Sequence, residues 1–546
     1  MRLTATAPLV LALLIIPSSI AQGRYSGDAP RKPKPAFPGQ TDAPKPSRPS
    51  ALLKIESITN RLTGPWSVAL LPDGNFLITE SVGLMRVVRP DGVVSAPLAG
   101  VPDVKVVAAQ GLHDVVLDPD FPRNRLLYFT YFAPPRGEKP AIWPVEFFYQ
   151  KVWTKPLAER RLTDIGTERI ARARLSEDET RLEEVLPLAQ SAERRIVFAP
   201  DGTLYVTGAD RFRFYDSKYD GVEHDFTDNP DIGRNFSGRV LRINRDGSIP
   251  KDNPWLSRAT VAPETFAHGL RDPEGAAINP ATGELWVTDH GPQGGDEINI
   301  IRAGRNYGWP DVSYGTQYDF QRTDDRKNVP VGNGKTSMPG VEEPVYFWFP
   351  DIAPSGMLFY TGDRFPEWKG NLFVGGLDAQ ALVRLVLNGD RVVAEERLLA
   401  ERHQRVRDIR QSPDGAVYLL AGSELLRPHA QVKGRRARLS AEKNNGERPA
   451  VLGAPRFFRR PVDYLLPRFQ CSVSAQGNRV RRLQDPGRTP CVFANHARAR
   501  TLPGGSSLPK TRVYRQASTF GRPSISIPRC PSRTCSGRRS RISCWS

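Results

Sequence analysis

Cysteine is missing from the first 427 of the 546 residues; all five, Cys471, Cys491, Cys530, Cys535 and Cys544, lie in the last stretch. The body therefore needs neither disulfides nor thiolate metal ligands, and Cys530 and Cys535 have no partner set with zinc spacing. Helical periodicity is hard to find anywhere, and the body contains no Gly-x-Ser-x-Gly elbow. Gly334-Lys335-Thr336 imitates the end of a phosphate-binding loop, but the required upstream glycine is Val329. The apolar run from about Ala5 to Ile16 is well short of the ~20 residues a spanning helix requires. What is present is enough for a sizeable core: 39% hydrophobic and 25% charged residues exclude a wholly disordered or collagen-like chain, and 46 Gly with 50 Pro point to many turns.

The net charge of +18 is unevenly placed. Residues 428–546 hold 25 Lys and Arg against 4 Asp and Glu, a net of +21, so the remainder carries −3, ordinary for a soluble enzyme. That tail, 22 Arg to 3 Lys with abundant Ser and Pro and no alternation, has the composition of a GC-rich gene translated out of frame; the competing reading is a polybasic arm for nucleic acid or an anionic membrane. At the other end Arg2, the apolar run and Ser19-Ile20-Ala21 read as a secretory signal peptide over 1–21, removed after Ala21. No cysteine follows to carry a lipid. Export places the mature protein in the periplasm or outside the cell, with no membrane span after cleavage, and sets nucleic acid aside as a partner. Residues 22–50, Pro-rich and polar, read as a flexible spacer.

Between 51 and 427 one pattern recurs: an apolar strand, a Pro-Asp-Gly-like turn, and a second strand. The copies are WSVALLPDGNFLITE from Trp66, LHDVVLDPDFPRNRLLYFTYF from Leu112, RRIVFAPDGTLYVTGAD from Arg194, GAAINPATGELWVTDHG from Gly275, GMLFYTGDRFPEWKGNLFVGGL from Gly356 and RDIRQSPDGAVYLLAGSELL from Arg407. Pro and Gly supply the turn torsions and Val, Ile, Leu, Tyr and Thr the flanks. Six hairpins at irregular spacing, with insertions at 133–190, 211–265 and 305–345, predict an all-β six-bladed propeller with long loops on one face; a sandwich or β-helix fits the repeat count and spacing less well.

The segment 266–310, FAHGLRDPEGAAINPATGELWVTDHGPQGGDEINIIRAGRNYGWP, gathers an Arg-Asp-Pro turn, a His-Gly-Pro turn and an acidic stretch. Calcium takes hard oxygen ligands, and Gly-rich turns expose carbonyls, so Gly291, Pro292, Glu297 and Tyr307 could serve a cation; Asp296, Glu297 and Asn299 could equally tie loops together. Arg405 and Arg407, two apart in QRVRD, share one strand face. With Arg271 they would suit a carboxylate-rich ligand, although loop arginines more often face solvent.

Taken together, GPWSVALLPDGNFLITE, GLHDVVLDPDF, RIVFAPDGTLYVTGAD, GRVLRINRDGSIPKDNP, GLRDPEG, HGPQGGDEINIIRAGRNYGWP and RVRDIRQSPDG resemble the glucose/sorbosone dehydrogenase family dependent on pyrroloquinoline quinone (PQQ), collinear over about residues 52–427. The resemblance implies a six-bladed propeller oxidising aldose sugars at the anomeric carbon with PQQ and Ca2+, electrons passing to an acceptor the sequence does not reveal. By its match Arg271 lies near the quinone, Arg405 and Arg407 hold PQQ carboxylates, Gly291 and Pro292 offer carbonyls to the quinone-bound calcium, and Glu297 and Tyr307 fall at a second, structural calcium. Gln110 belongs to the family's cofactor-facing Gln region, and Asp210 matches a site aspartate.

The departures from the family's pattern matter as much. The general-base histidine is Ser191 here, which cannot take a hydroxyl proton at neutral pH without its own base. The cofactor-contacting asparagine is Asp272, and a lysine of some members is Asp378. His113, in the GLHD turn, is the first substitute base. Two other readings stay open: a non-catalytic propeller binding a glycan or protein, which Ser191 and Asp378 favour, and a Ca2+-dependent lactonase without quinone.

Overall fold

The computed structural model describes residues 31–107, 111–135, 142–143, 167–190, 194–210, 236–318 and 328–431. The chain divides into two compact units, Met1–Ser440 and Ala441–Ser546, and the described residues all belong to the first. The expected signal peptide and almost the whole basic tail lie outside them. Among the described residues no helix is long and apolar enough to cross a membrane.

Six antiparallel sheets form six blades. Blade 1 is Pro65–Leu70, Phe76–Glu80 and Leu84–Val88; blade 2 is Leu112–Leu117, Leu126–Ala133, Thr167–Leu175 and Leu182–Gln190; blade 3 is Ile196–Phe198, Leu204–Gly208, Arg239–Ile243 and Thr265–His268. Blade 4 is Gly275–Ile278, Leu285–Asp289, Asp296–Ile301 and Tyr346–Trp348; blade 5 is Pro354–Phe359, Leu372–Gly376, Ala381–Asn388 and Arg391–Leu398. Blade 6 takes Val406–Gln411, Val417–Ala421 and Glu424–Ala430 from the end of the repeat region, and its outer strand, Leu53–Thr59, from the beginning. Leu53 pairs with Ala430 and Ser57 with Leu426. The first strand of each blade packs against the first strand of the next, and blade 6 against blade 1, which closes the ring.

The predicted propeller is therefore the observed fold. Each Pro-Asp-Gly hairpin is local chemistry: Asp73, Asp201 and Asp414 accept the backbone N–H two residues on at 3.0, 2.9 and 3.2 Å, and Gly74, Gly202 and Gly415 hold φ of 92°, 84° and 80°, which a side chain rarely adopts. The insertions are shorter than the sequence suggested. Residues 167–190 are the outer half of blade 2, and 239–243 and 265–268 complete blade 3. Their turns lack the proline of the repeat: 176–181 turns on Asp178 and a left-handed Glu179, and 244–248 on Asp246-Gly247, with Asp246 accepting Ser248 N–H at 2.9 Å.

Between the blades lies an apolar core. Leu77, Met85, Leu112, Val115 and Phe129 fill the gap between blades 1 and 2, and Trp286 meets Phe359 edge-on at 5.4 Å between blades 4 and 5.

Within the stretch expected to be a flexible spacer, residues 31–50 are tied down along blades 4 and 5. Ala43 N–H donates to Tyr346 Oη at 3.0 Å, Glu395 N–H to the Pro44 carbonyl at 2.9 Å, and the Ser50 hydroxyl to Glu396 at 2.8 Å.

Candidate functional site at the propeller axis

Aligning the six hairpins on their turns puts two residues of each repeat at the axial entrance of its inner strand: Trp66-Ser67, His113-Asp114, Arg194-Arg195, Glu274-Gly275, Ser355-Gly356 and Arg407-Asp408. The ring is charged and largely buried. Arg195 Nη1 lies 3.2 Å from Asp114 and 3.0 Å from Asp408; its Nε donates to the Glu274 carbonyl at 2.9 Å and its Nη2 to the Arg407 carbonyl at 3.1 Å. Arg410 joins the same acids, 3.0 Å from Asp114 and 3.2 Å from Asp408. The bare backbone at Gly356 makes room for this cluster, since a Cβ there would stand 2.6 Å from Asp408 Oδ1.

A second network lies beside the first. Arg194, 1% exposed, meets Asp272 at 3.0 Å and Glu274 at 3.5 Å, and Glu274 also holds Arg407 through a short contact. Arg407 adds a bond to Ser355 Oγ at 3.3 Å. Burial opposes the charge of Glu274, but Arg407 and Arg194 hold its carboxyl well below the usual range. Trp66 is gripped from more than one direction: the His113 ring stacks on it at 4.9 Å, and the Arg195 and Arg407 guanidiniums lie 4.1 and 5.8 Å from its centroid.

Blade 4 contributes the turn at 289–296. The Asp289 carboxylate accepts the N–H groups of Arg271 and Asp272 at 2.8 and 2.6 Å, fixing the Arg-Asp-Pro turn. The Arg271 guanidinium donates to the carbonyls of His290 and Gly291 at 2.8 and 2.9 Å and lies 5.4 Å from the Trp309 ring and 5.8 Å from Tyr318. Trp309 Nε1 in turn donates to Asp210 at 3.0 Å, and Asp210 N–H to the Arg271 carbonyl at 2.7 Å. Asp296 ties the turn from behind, accepting from Gly291, Ile352 and Ala353. Pro292 packs against Gly315, where a Cβ would stand 2.5 Å from Pro292 Cδ.

The sequence-predicted residues thus fall into groups. Arg271, Asp272, Asp210 and Gly291 share one hydrogen-bonded turn system, and Arg407 and His113 border it through Glu274 and Trp66. Arg405 stands exposed just before the inner strand of blade 6, its Nη1 3.5 Å from the Leu377 carbonyl beside Asp378. Ser191 and Gln110 lie outside the described residues. The Tyr307 hydroxyl is engaged within the fold, donating to the Ile300 carbonyl at 2.7 Å and accepting Arg302 N–H at 2.8 Å, so an oxygen it offers a cation would be main-chain. Arg194, Arg195, Glu274, Trp66, Asp114 and Asp408 were not singled out from sequence. Their signal was the polar pair preceding each apolar run, visible only after the repeats are aligned on their turns.

Glu297 and Asp289 are cross-strand partners, so both carboxyls stand on one face. Burial raises Asp289 to about 7. Burial, then Asp289 and Glu343, raise Glu297 to about 8. On the same face Asn299 donates to Glu297 at 3.1 Å, while its own buried Oδ1 has no donor. Two buried carboxyls on one face beside an amide oxygen that lacks a donor are oxygen ligands of the kind a hard cation such as Ca2+ takes. Among the described residues no three His, Cys, Asp or Glu side chains are grouped to bind a metal, so an amide oxygen and main-chain carbonyls would complete the shell. The Arg271 guanidinium, with the flat faces of Trp309 and Tyr318, suits a planar anionic ligand, while Arg407 is held by Glu274 and Arg405 stands apart beside Leu377.

A closed six-bladed propeller with a charge-dense, aromatic-walled site where inner-strand residues and loops meet is the class of protein defined here. The family model described as "Glucose / Sorbosone dehydrogenase" matches residues 62–426, and the chain belongs to that family. It is 32% identical over 391 residues to the aldose sugar dehydrogenase YliI of Escherichia coli (strain K12), covering 69% of this chain and 93% of that protein. Quinoprotein glucose dehydrogenase B of Acinetobacter calcoaceticus is 26% identical over 436 residues, covering 68% and 87%. A crystal structure of glucose dehydrogenase superposes with a TM-score of 0.57 at 33% identity, covering 68% of this chain and 99% of that one.

Proposed function

We propose that the protein is an exported dehydrogenase that binds PQQ and Ca2+ at the axial site and oxidises the CH–OH group of aldose sugars or related compounds, passing electrons to a separate acceptor. The observation that carries this reading is the network that runs from Arg271 and the Gly291 turn through Asp272, Arg194 and Glu274 to Arg407, in a chain of this family. PQQ, when bound, supplies an ortho-quinone that accepts a hydride, and Ca2+ polarises its oxygen. Arg405 and Arg407 neutralise carboxylates, and Arg271 closes the site against Trp309 and Tyr318. The Asp289–Glu297 pair with Asn299 is where a cation fits best.

His113 takes the role that Ser191 cannot fill, accepting the sugar hydroxyl proton. Its ring is held face-on by Trp66, which fixes its plane, and Asp210 orients the far wall through Trp309.

The test is a titration of the Ca2+-loaded full chain with PQQ, read by absorbance and thermal shift, followed by a panel of aldoses with an artificial electron acceptor. Saturable binding and sugar-dependent acceptor reduction are expected. A folded, Ca2+-competent protein that neither binds PQQ nor turns over any sugar would leave the non-catalytic glycan- or protein-binding propeller as the reading. Export predicts a mature N-terminus at Gln22, which mass spectrometry of the natural protein checks.

A further inference from the structure

The segment 31–50 precedes the family match, which begins at residue 62, yet one of its residues is among the most completely enclosed polar groups of the fold. Gln40 is 0% exposed. A buried amide is tolerated only when its polar atoms are satisfied, and here they are. Ala36 N–H donates to Oε1 at 2.7 Å and Nε2 to the Pro344 carbonyl at 2.9 Å, while Tyr314 Oη shares its one proton between Glu343 at 2.8 Å and Gln40 Oε1 at 3.3 Å. The Gln40 main chain takes part as well, accepting Phe347 N–H at 2.8 Å.

Two of these partners, Phe347 and Tyr314, adjoin the strand and turn proposed to hold the cation. Phe347 is the strand partner of Glu297. Tyr314 stacks on Phe347 at 4.2 Å and donates to Glu343 at 2.8 Å, and Glu343 is one of the charges acting on Glu297. Tyr314 is followed by Gly315, and this dipeptide packs backbone to backbone on the 291–295 turn: a Cβ on Gly295 would stand 2.5 Å from the Tyr314 carbonyl carbon, and one on Gly315 2.6 Å from the Gly294 oxygen. The 314–315 backbone thus lies against Pro292, Gly294 and Gly295 with no room for a side chain between them, so a shift of Tyr314 bears on that turn.

We infer that Gln40 is a positioning residue for cation binding: the N-terminal strap, through this one buried amide, holds the outer strand of blade 4 and the 314–315 segment against the turn that carries Gly291, Pro292 and Glu297. The inference rests on the Ca2+ reading above. The far end of the strap supplies a control. Ser50 is anchored to Glu396 at 2.8 Å and receives Trp368 Nε1 at 2.8 Å, both on blade 5.

The experiment titrates CaCl2 into the metal-free full chain by calorimetry, for the wild type and for Gln40→Ala, Gln40→Glu and Ser50→Ala, alongside thermal melts. Gln40→Glu keeps the shape but loses the donation to Pro344, and covers the case in which Gln40→Ala does not fold. The expected result is a Ca2+ affinity weakened about 10-fold or more by the Gln40 variants, the effect typical of a residue that orients metal ligands, with Ser50→Ala lowering the melting temperature and leaving the affinity unchanged. Equal affinities in all variants, or an equal loss in Ser50→Ala, overturn the assignment and leave the strap a purely structural belt. A wild type that binds no Ca2+ overturns both this inference and the Ca2+ reading, and is told apart because it shows before any variant is made.

Discussion

Arg195 is the keystone of the axis, and replacing it with methionine removes a charge without leaving a large void. The variant loses ion pairs to Asp114 and Asp408 at 3.2 and 3.0 Å, hydrogen bonds to two carbonyls, and the face of Trp66 at 4.1 Å. The acids are 0% and 1% exposed, so water cannot replace the guanidinium. Removing one partner of a buried pair typically costs about 3–5 kcal/mol, because the other charge stays buried. Some compensation remains: Arg410 still meets both acids, Ser67 Oγ donates to Asp114 at 2.6 Å, and Val68 N–H to Asp408 at 3.1 Å. The expected loss is therefore at the lower end, about 3 kcal/mol, read from equilibrium denaturation in guanidinium chloride. In the same assay Arg195→Met with Asp408→Asn should be more stable than Arg195→Met alone, since the uncompensated charge is gone. A loss below about 1 kcal/mol, the size of a solvent-exposed pair, would refute the argument, as would strictly additive losses in the double variant.

Asp289 and Glu297 have folded-state values near 7 and 8, above their ordinary 3.8 and 4.5. The native state therefore holds protons more tightly than the unfolded chain, so in EDTA stability should be highest below about pH 4 as far as these groups decide it, and fall as pH rises through 7 and 8; Ca2+ should flatten the upper part of that profile. Melts across pH with and without the ion check this, and a flat profile in EDTA would contradict it. Glu274→Gln frees Arg407 and adds one unit of positive charge to the site, so PQQ should bind more tightly by about 1 kcal/mol, several-fold, with a steeper salt dependence; unchanged or weaker binding would show that Glu274 does not compete with the cofactor. His113→Gln should lower kcat for sugar oxidation by about 100-fold or more while leaving the PQQ dissociation constant nearly unchanged; full activity in that variant would remove His113 as the base.

The propeller was legible because its evidence is short-range. A Pro-Asp-Gly turn with its Asx bond and left-handed glycine is decided by four or five consecutive residues; three blades carry it and three carry looser variants of the same strand-turn-strand pattern, so the repeats count the blades. Outer strands such as 182–190 were hidden because their turn uses Ser176, Asp178 and a left-handed Glu179 in place of the repeat's Pro and Gly, and the segment 31–50 because a Pro-rich polar stretch looks the same whether it is solvated or laid along a sheet. At the site, Arg271 and Gly291 share one short stretch and could be grouped by inspection, whereas the hydroxyl of Tyr307 was taken up locally by Ile300 and Arg302.

The sequence by itself determined the all-β class, the blade count, the separation of a near-neutral body from a strongly basic tail, and the family resemblance, since each depends on composition or on neighbours along the chain. Only the tertiary structure decided which charges meet. Arg195 lies 81 residues from Asp114, Arg407 is 133 from Glu274, and Gln40 is 304 from Pro344. Closing the ring brings such groups within hydrogen-bonding distance and away from water, and that low-dielectric contact sets their charge states and the chemistry available at the axis.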